Sequence, residues 1–217
     1  MRPAHPPRYR AVLAFCGGLL AVAALHAGPF VTCAQAQSRQ PEDRYDDTFR
    51  KYSKRHFGPG FDWRLFKAQG LAESNLDSLA RSGVGARGVM QLMPTTFREI
   101  VSQNPELKHA IDDPEWNIAA GISYDRRLWQ LWAQDSVLTS CSQFMFASYN
   151  AGRGTILGAQ GTARAARLDP RAWLSIESVA PSVPRWRHRE TLGYLRRIDG
   201  QLSRMNDKGQ IVREDRR

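Results

Sequence analysis

The amino-acid sequence predicts a mainly α fold, and three observations support this class. Apolar residues recur at helical spacing in several segments, as in residues 63–74, where Leu65, Phe66 and Ala72 fall on one face. Strand-like alternation of apolar and polar residues is scarce along the chain. Glycine and proline separate the periodic segments, as at residues 58–60. We therefore expect a helical domain without internal repeats.

The first 36 residues have the composition of a secretory signal peptide. Arginines at positions 2, 8 and 10 precede an apolar run over 11–27, and a small-x-small cleavage signal follows at 34–36. A retained membrane anchor is the competing interpretation, but the run falls short of the roughly 20 apolar residues that a spanning helix needs. Cys33 raises a lipoprotein alternative, which the preceding residues 30–32 do not favour. We expect a periplasmic protein with no retained membrane span.

The remaining chain, about 180 residues, suits one domain with a substantial core. Its formal charge is +10 for the whole sequence and +7 without the three arginines of the leader. A basic surface suits a nucleic acid or an anionic cell-surface polymer, and export excludes the nucleic acid. Removal of the leader also removes Cys16 and Cys33. The remaining Cys141 lies in an apolar run, so we expect it to be buried and to form no internal disulfide.

The elements of the first half follow from local signals. Residues 37–47 are polar and acidic and predict a flexible lead-in. A short helix over 48–56 should end at the glycines of 58–60, and Asp62 is a good N-cap for the helix over 63–74. Residues 81–93 contain Gly83, Gly85 and Gly88, too many for a helix interior, so we expect a loop or small hairpin folded over the helix end.

Further helices are predicted in the second half. Pro94 can open a helix at its first position. Apolar spacing predicts helices over 117–133, 142–151 and 190–205. A globular domain is thus expected over 48–205, followed by a charged, frayed tail over 206–217.

Glu73 is the most informative residue of the chain. It ends the predicted helix 63–74 and precedes the glycine-rich segment. The partial negative charge at a helix C-terminus and burial against apolar side chains both raise the pKa of a carboxyl group. A carboxylic acid that stays protonated near neutral pH is what a glycosidase acid needs. The obvious second carboxylate, Asp77, lies in a predicted turn, where we expect it to be structural.

Four motifs, in the same order, resemble the SLT-type lytic transglycosylases of the goose-lysozyme-like superfamily. They are Leu-Ala-Glu-Ser-Asn at 71–75 with Gly-Val-Met-Gln-Leu-Met-Pro at 88–94, Asp-Pro-Glu-Trp-Asn at 113–117 through Gly121, Ala-Ser-Tyr-Asn-Ala-Gly at 147–152, and Arg-Glu-Thr at 189–191 with Tyr194 and Leu195. The last motif departs from the family, which commonly has an apolar-Pro pair where this chain has Trp-Arg-His-Arg at 186–189.

The resemblance implies a lysozyme-like fold and a reaction that uses one carboxyl group, here Glu73. In the family this acid protonates the oxygen between N-acetylmuramic acid and N-acetylglucosamine in peptidoglycan. As a carboxylate it then takes a proton from the muramoyl 6-hydroxyl, which closes onto C1 and leaves a 1,6-anhydro end. The five histidines show no ligand spacing, so we expect no metal, and no cofactor is implied.

The resemblance also implies substrate-binding residues around the glycine-rich segment. Ser82 matches a family serine close to the acid, although an ordinary turn hydroxyl is the alternative. Gln91 and Met93 match an amide and a thioether that contact the sugar. Met90 and Leu92 alternate with them and are expected in the core.

Two further positions come from the later helices. Tyr149 matches the family tyrosine near the acid, where its hydroxyl could bond the carboxyl group or the sugar, and Asn150 is expected to brace the loop. Glu190 matches a second acid assigned to substrate binding. A plain N-terminal helix charge is its alternative role.

Two other functions stay open. A goose-type lysozyme would hydrolyse the same bond and release reducing ends. A non-catalytic accessory would bind peptidoglycan strands and dock a secretion or conjugation apparatus to the wall. The small size of the chain slightly favours such a specialised setting, whereas the intact Glu73 with its partner motifs argues against loss of catalysis.

Overall fold

The computed structural model describes residues 41–107, 110–134 and 141–212, so the predicted leader lies outside the described residues. Within these ranges the chain forms eight α-helices, and its only β contacts are isolated bridges. The mainly α prediction is confirmed. The helices are α1 (Asp46–Phe57), α2 (Arg64–Ser74), α3 (Pro94–Gln103), α4 (Pro114–Ala133), α5 (Cys141–Ala151), α6 (Arg153–Ala165), α7 (Trp173–Val179) and α8 (His188–Ser203).

Helix α5 lies at the centre and packs against α4, α6 and α8. Its sequence is apolar on most sides, which is typical of a helix buried all round. Phe144 is fully buried and contacts the rings of Trp132 and Trp173. The indole of Trp132 donates to the hydroxyl of Ser148 (2.9 Å), which satisfies two polar groups inside the core. Cys141 is buried, as predicted.

Helix α2 carries Glu73 in its last turn and packs against α1 and α8. The predicted cap operates at its start, where an Asp62 carboxylate oxygen accepts from the backbone N–H of Arg64 (3.0 Å). The helix ends at Asn75, whose left-handed backbone (φ 54°) turns the chain away. The end of α2 is therefore a sharp stop that leaves Glu73 beside the following loop.

The segment between α2 and α3 is the predicted loop with hairpin character. Isolated bridges join Arg81 to Arg87 and Arg87 to Leu92. One side chain of α4 holds this segment: the Asn117 carbonyl oxygen accepts from the Met90 N–H (2.8 Å), and its amide donates to the Arg87 carbonyl (3.0 Å). A Cβ at Gly88 would lie 2.6 Å from the Asn117 amide nitrogen, so this close approach requires glycine.

Both ends of the described chain are more ordered than predicted, and a buried lysine explains why. Lys67 of α2 is fully buried, and its ammonium group pairs with Asp43 (2.9 Å) and Asp46 (2.7 Å). It also donates to the carbonyl of Gly209 (2.8 Å). The expected flexible lead-in is thus wrong for residues 41–47, and the expected frayed tail is wrong for residues 206–212. A Cβ at Gly209 would collide with the Trp63 ring, so the tail segment packs tightly on α2.

Other boundaries differ modestly from the prediction. Helix α4 begins at Pro114 because the Asp113 carboxylate accepts from the N–H groups of Glu115 (2.9 Å) and Trp116 (3.2 Å). Helices α6 and α7 were not predicted. None of the helices in the described ranges has the length and apolar character needed to cross a bilayer.

Candidate active site

Glu73 is a half-buried carboxyl group in the last turn of α2. Loss of hydration on burial raises its pKa from 4.5 to about 7. The Tyr194 hydroxyl and the Arg197 guanidinium partly offset this rise. Near neutral pH the group therefore exists in both forms, which suits a side chain that must first donate a proton and later accept one.

Tyr194 of α8 lies against Glu73 and is almost fully buried. Its hydroxyl interacts with the Glu73 carboxyl group, and no other described residue is a hydrogen-bond partner of this hydroxyl. Burial, and then the charge of Glu73, raise the tyrosine pKa well above its ordinary value. The hydroxyl thus stays neutral and available to donate. The exposed Arg197 follows one turn later, with its guanidinium 5.9 Å from the Tyr194 ring centre.

Asp125 of α4 is a second carboxyl group in this cluster, and it was not among the predicted site residues. It is fully buried, and its nearest polar contact is the Gln69 amide nitrogen, 3.4 Å from one oxygen. The other oxygen has no hydrogen-bond partner within the described chain. Burial above all, and also the charge of Glu73, raise the Asp125 pKa well above its ordinary value.

A sequence signal for Asp125 did exist. It lies at helical spacing with Ile118, Ile122 and Trp132, all buried on the core side of α4. A carboxyl group in an apolar stripe is rare enough to mark a candidate site.

Tyr149 of α5 lies close to the acid but bonds elsewhere. Its hydroxyl donates to the backbone carbonyl of Met90 (2.8 Å). This proton is therefore not donated to the carboxyl group of Glu73, which was one of the two expected partners. Its ring packs on that of Tyr124, with 5.4 Å between centres. Burial, then the charges of Asp125 and Glu73, raise its pKa well above its ordinary value. Tyr149 therefore fastens the loop over the acid.

The three predicted contact residues of the loop have different surroundings. The Ser82 hydroxyl oxygen accepts from the Ala86 N–H (2.9 Å), which is a turn contact. The Gln91 amide nitrogen donates to the carbonyls of Ala80 (3.2 Å) and Gly88 (2.9 Å). Met93 keeps 37% of its surface exposed. Met93 is thus at the loop surface, whereas the half-buried Gln91 bonds the backbone of the loop and Ser82 supports the turn.

Two expectations about buried and turn residues are confirmed. Met90 and Leu92 are in the core, as predicted from their alternation with the exposed positions. Asp77 is exposed and accepts from the Leu79 N–H (2.8 Å), which is a turn role. The structure therefore gives Asp77 the turn role that was expected.

Glu190 lies in the first turn of α8, one turn before Tyr194. Its carboxylate pairs with Arg187 (2.9 Å). The neighbouring Thr191 hydroxyl donates to the side-chain amide oxygen of Asn150 (2.9 Å), so Asn150 joins the end of α5 to α8. Helix α8 thus connects the acid cluster to Glu190 along one face.

Comparison with known proteins agrees with this arrangement. The family profile described as Transglycosylase SLT domain matches residues 50–169, more than half of the chain. The chain belongs to the SLT family. The match contains Glu73, Asp125 and Tyr149, whereas Glu190 and Tyr194 lie beyond its end.

Curated SLT-family relatives are longer proteins. A membrane-bound lytic murein transglycosylase F from Stutzerimonas stutzeri (strain A1501) is 31% identical over 79% of this chain and 33% of its own length. A protein of the same name from Desulfosudis oleivorans is 33% identical over 70% of this chain and 32% of its own length. The chain thus spans about a third of the length of these relatives.

A solved structure shares the fold. The 70 kDa soluble lytic transglycosylase of Escherichia coli superposes with a TM-score of 0.55 at 28% identity, over 71% of this chain and 22% of its own. This likeness confirms the predicted lysozyme-like SLT fold.

Proposed function

We propose that the protein is a periplasmic peptidoglycan lytic transglycosylase, exported by its N-terminal leader. It cleaves the β-1,4 bond between N-acetylmuramic acid and N-acetylglucosamine and leaves 1,6-anhydro-N-acetylmuramic acid ends. The observation that carries this proposal is Glu73, a half-buried acid with a pKa of about 7 in the last turn of α2, beside the 80–93 loop. The names of the SLT-family relatives support the substrate, and the net positive charge suits an anionic wall polymer.

The surroundings of the other carboxyl groups near the site favour a one-acid reaction. A hydrolase of the usual kind needs a second carboxylate roughly 5–10 Å from the acid. Asp77 is committed to a turn, and Glu190 pairs with Arg187. Asp125 is fully buried, so it cannot hold a water against a sugar that binds at the surface.

In the proposed reaction Glu73 first gives its proton to the glycosidic oxygen as the bond from C1 to that oxygen breaks. The Tyr194 hydroxyl and Arg197 then stabilise the Glu73 carboxylate, since both favour its charged form. The carboxylate removes the proton of the muramoyl 6-hydroxyl, whose oxygen bonds to C1. Glu73 ends the cycle protonated, and no water is consumed. An internal hydroxyl held beside C1 acts at high effective molarity, which contributes several kcal/mol.

Ser82, Gln91, Met93, Tyr149 and Glu190 are proposed to line the sugar groove. Their contacts suggest distinct contributions: Met93 presents its side chain at the loop surface, Gln91 bonds the loop backbone, and Tyr149 holds the loop through Met90. Glu190 extends the groove along α8. Wall strands are the proposed partner, and a secretion or conjugation apparatus is a further proposed partner.

Digestion of purified sacculi in ¹⁸O-labelled water tests the proposal, with mass spectrometry of the released muropeptides. We expect anhydro ends without label at C1, because ring closure brings no solvent oxygen. Reducing ends that carry the label would show a lysozyme-type hydrolase. Binding to sacculi without any release, by a folded protein, would show a non-catalytic accessory. The Glu73→Gln variant serves as the blank.

A further inference from the structure

We propose that the cavity between α1, α3 and α4 binds a phosphate group, with Arg126 as the cation that holds it. Arg126 lies on the side of α4 that faces α1, since its guanidinium is over the ring of Phe57. The neighbouring Asp125, which belongs to the cluster around Glu73, points into the core instead. The site is thus apart from the acid, and the inference goes beyond the proposed function and does not depend on it.

The cavity has a volume of about 260 Å³ and room for a phosphate group. Helix α1 contributes His56 to its lining, and α3 contributes Gln103. Helix α4 contributes Arg126 and Arg127. Among the described residues that line the cavity, every side chain except Ile100 has a hydrogen-bonding group. This lining suits a hydrophilic ligand.

Arg126 is a half-buried cation without a counter-charge in the described part of the chain. Its guanidinium lies 5.3 Å from the centre of the Phe57 ring and forms no ion pair or hydrogen bond with a described residue. The adjacent Arg127 differs, because it pairs with Glu99 (2.6 Å) and the two charges largely cancel. A charge withdrawn from water costs free energy unless it has a partner. An anion in the cavity would supply the partner that Arg126 lacks.

Two further side chains that line the cavity have unused hydrogen-bonding groups. The Nε2 atom of His56 is buried and has no hydrogen-bond partner among the described residues. Burial, and then the charge of Arg55, lower the pKa of His56, so its ring is uncharged at neutral pH and can donate one N–H. The side-chain oxygen of Gln103 accepts from Arg127 (3.5 Å), and its N–H groups bond no described residue. Buried polar atoms without a partner are rare in native proteins and point to a bound group.

The positions of these donors favour a phosphate group over a carboxylate. His56, Gln103 and Arg126 belong to three different helices, so their donors approach the cavity from three directions. A tetrahedral phosphate group presents oxygens in several directions, whereas the two oxygens of a carboxylate lie in one plane. The guanidinium fork of Arg126 can bind two phosphate oxygens at once. Inorganic phosphate and a phosphate ester share this chemistry, so both belong in the test.

Isothermal titration calorimetry of the full chain with inorganic phosphate, at neutral pH and fixed ionic strength, tests the site. We expect one phosphate per chain, and Arg126→Gln should weaken binding at least about tenfold, the lower end of the range for a hydrogen bond to a charged group. Arg126→Lys keeps the charge without the planar fork and should recover part of the loss. Arg98→Gln removes an exposed charge of α3 outside the cavity lining, so this matched control should bind like the wild type.

A second measurement keeps the test decisive if Arg126→Gln does not fold. In nuclear magnetic resonance spectra of the wild type, phosphate should shift the ring resonances of His56 and leave those of His188, which does not line the cavity, unchanged. Equal shifts of both rings, or no shift of His56, would contradict the site.

Absence of phosphate binding by the wild type would overturn the inference, as would unchanged binding by a folded Arg126→Gln protein. An equal loss in Arg98→Gln would assign the effect to general surface charge and would also overturn it. Acetate that binds as tightly as phosphate would show a site for any small anion and would remove the phosphate assignment. Titration with glycerol phosphate distinguishes the source: tighter binding than inorganic phosphate assigns a phosphate ester, weaker binding assigns the free ion, and either result supports the site.

Discussion

The two ends of α2 each hold an ionisable side chain away from water, with opposite outcomes. At one end Lys67 is fully buried, and Asp43, Asp46 and a backbone carbonyl surround its ammonium group. At the other end Glu73 has an uncharged hydroxyl, from Tyr194, as its first polar neighbour and an exposed arginine further out. Glu73, whose charge is incompletely compensated, thus lies only six positions after Lys67, whose charge is fully compensated.

The difference shows how one helix serves both structure and chemistry. Compensation makes the Lys67 end structural, since its contacts tie the two ends of the described chain to α2. Incomplete compensation leaves the proton of Glu73 easy to exchange near pH 7. Whether a buried charge is structural or catalytic is thus decided by its partners, which come from distant parts of the chain.

The largest expected effect is the loss of catalysis in Glu73→Gln. The amide keeps the shape of the side chain but can neither donate nor retrieve the proton, so lysis of sacculi should fall by at least about 10²-fold. Turbidity of a sacculus suspension measures this. Asp77→Asn should be mild, because that residue is a turn residue. Residual activity within tenfold of the wild type would remove Glu73 as the acid.

Breaking the other end of the helix should cost stability instead of catalysis. Lys67→Met leaves two carboxylates without their cation, and loss of one partner of a buried pair typically destabilises by about 3–5 kcal/mol. Urea unfolding measures the change. Lys51→Met, which breaks the exposed pair with Glu115, is the control and should cost about 0–1 kcal/mol. Similar values for the two variants would mean that burial of Lys67 contributes little.

The raised pKa of Glu73 also predicts that this residue destabilises the fold as pH rises. Its carboxyl is protonated in the folded state up to about pH 7, whereas in the unfolded chain it ionises near pH 4.5. Stability is therefore lost as pH rises between these values, by up to roughly 3 kcal/mol. Glu73→Gln should match the wild type at pH 4 and be more stable at pH 8, as measured by urea unfolding. A difference that does not change with pH would contradict this cause.

The smallest expected effect is that of Tyr149→Phe. Its hydroxyl bonds the neutral carbonyl of Met90, so its loss should cost about 0.5–1.5 kcal/mol of stability. Catalysis should weaken only as far as the loop loosens. Thermal unfolding together with turnover per folded molecule distinguishes the two effects. A loss of turnover above about 1.5 kcal/mol at unchanged stability would place the hydroxyl on the substrate instead.

Local signals predicted much of this fold. Six of the eight described helices were expected, because apolar spacing, Asp62 and Pro94 act within a few residues of the elements they define. Helix α6 was missed because its three glycines weaken the helical signal, and packing of Ile156 and Ala159 on α5 offsets their cost. Helix α7 has only seven residues, too few for a clear period.

Site residues were predictable from the sequence where they belong to a motif. They were not predictable where burial by distant parts of the chain determines the environment of a charged side chain. Glu73 and the core positions Met90 and Leu92 follow from spacing and from the family resemblance. The burial of Lys67 and Asp125 depends on groups more than 20 residues away in the chain. Such long-range contacts leave no local trace except a charged residue within an apolar stripe.

The attachment of the 80–93 loop through Asn117 has a consequence for the order of folding. The loop contains isolated bridges and no regular strand, and one amide of α4 bonds the backbone at both Arg87 and Met90. Its shape therefore depends on the earlier docking of a helix that follows it in the chain. Amide hydrogen exchange should reveal this as weaker protection at Met90 than in α5, and as selective deprotection of the loop in Asn117→Ala.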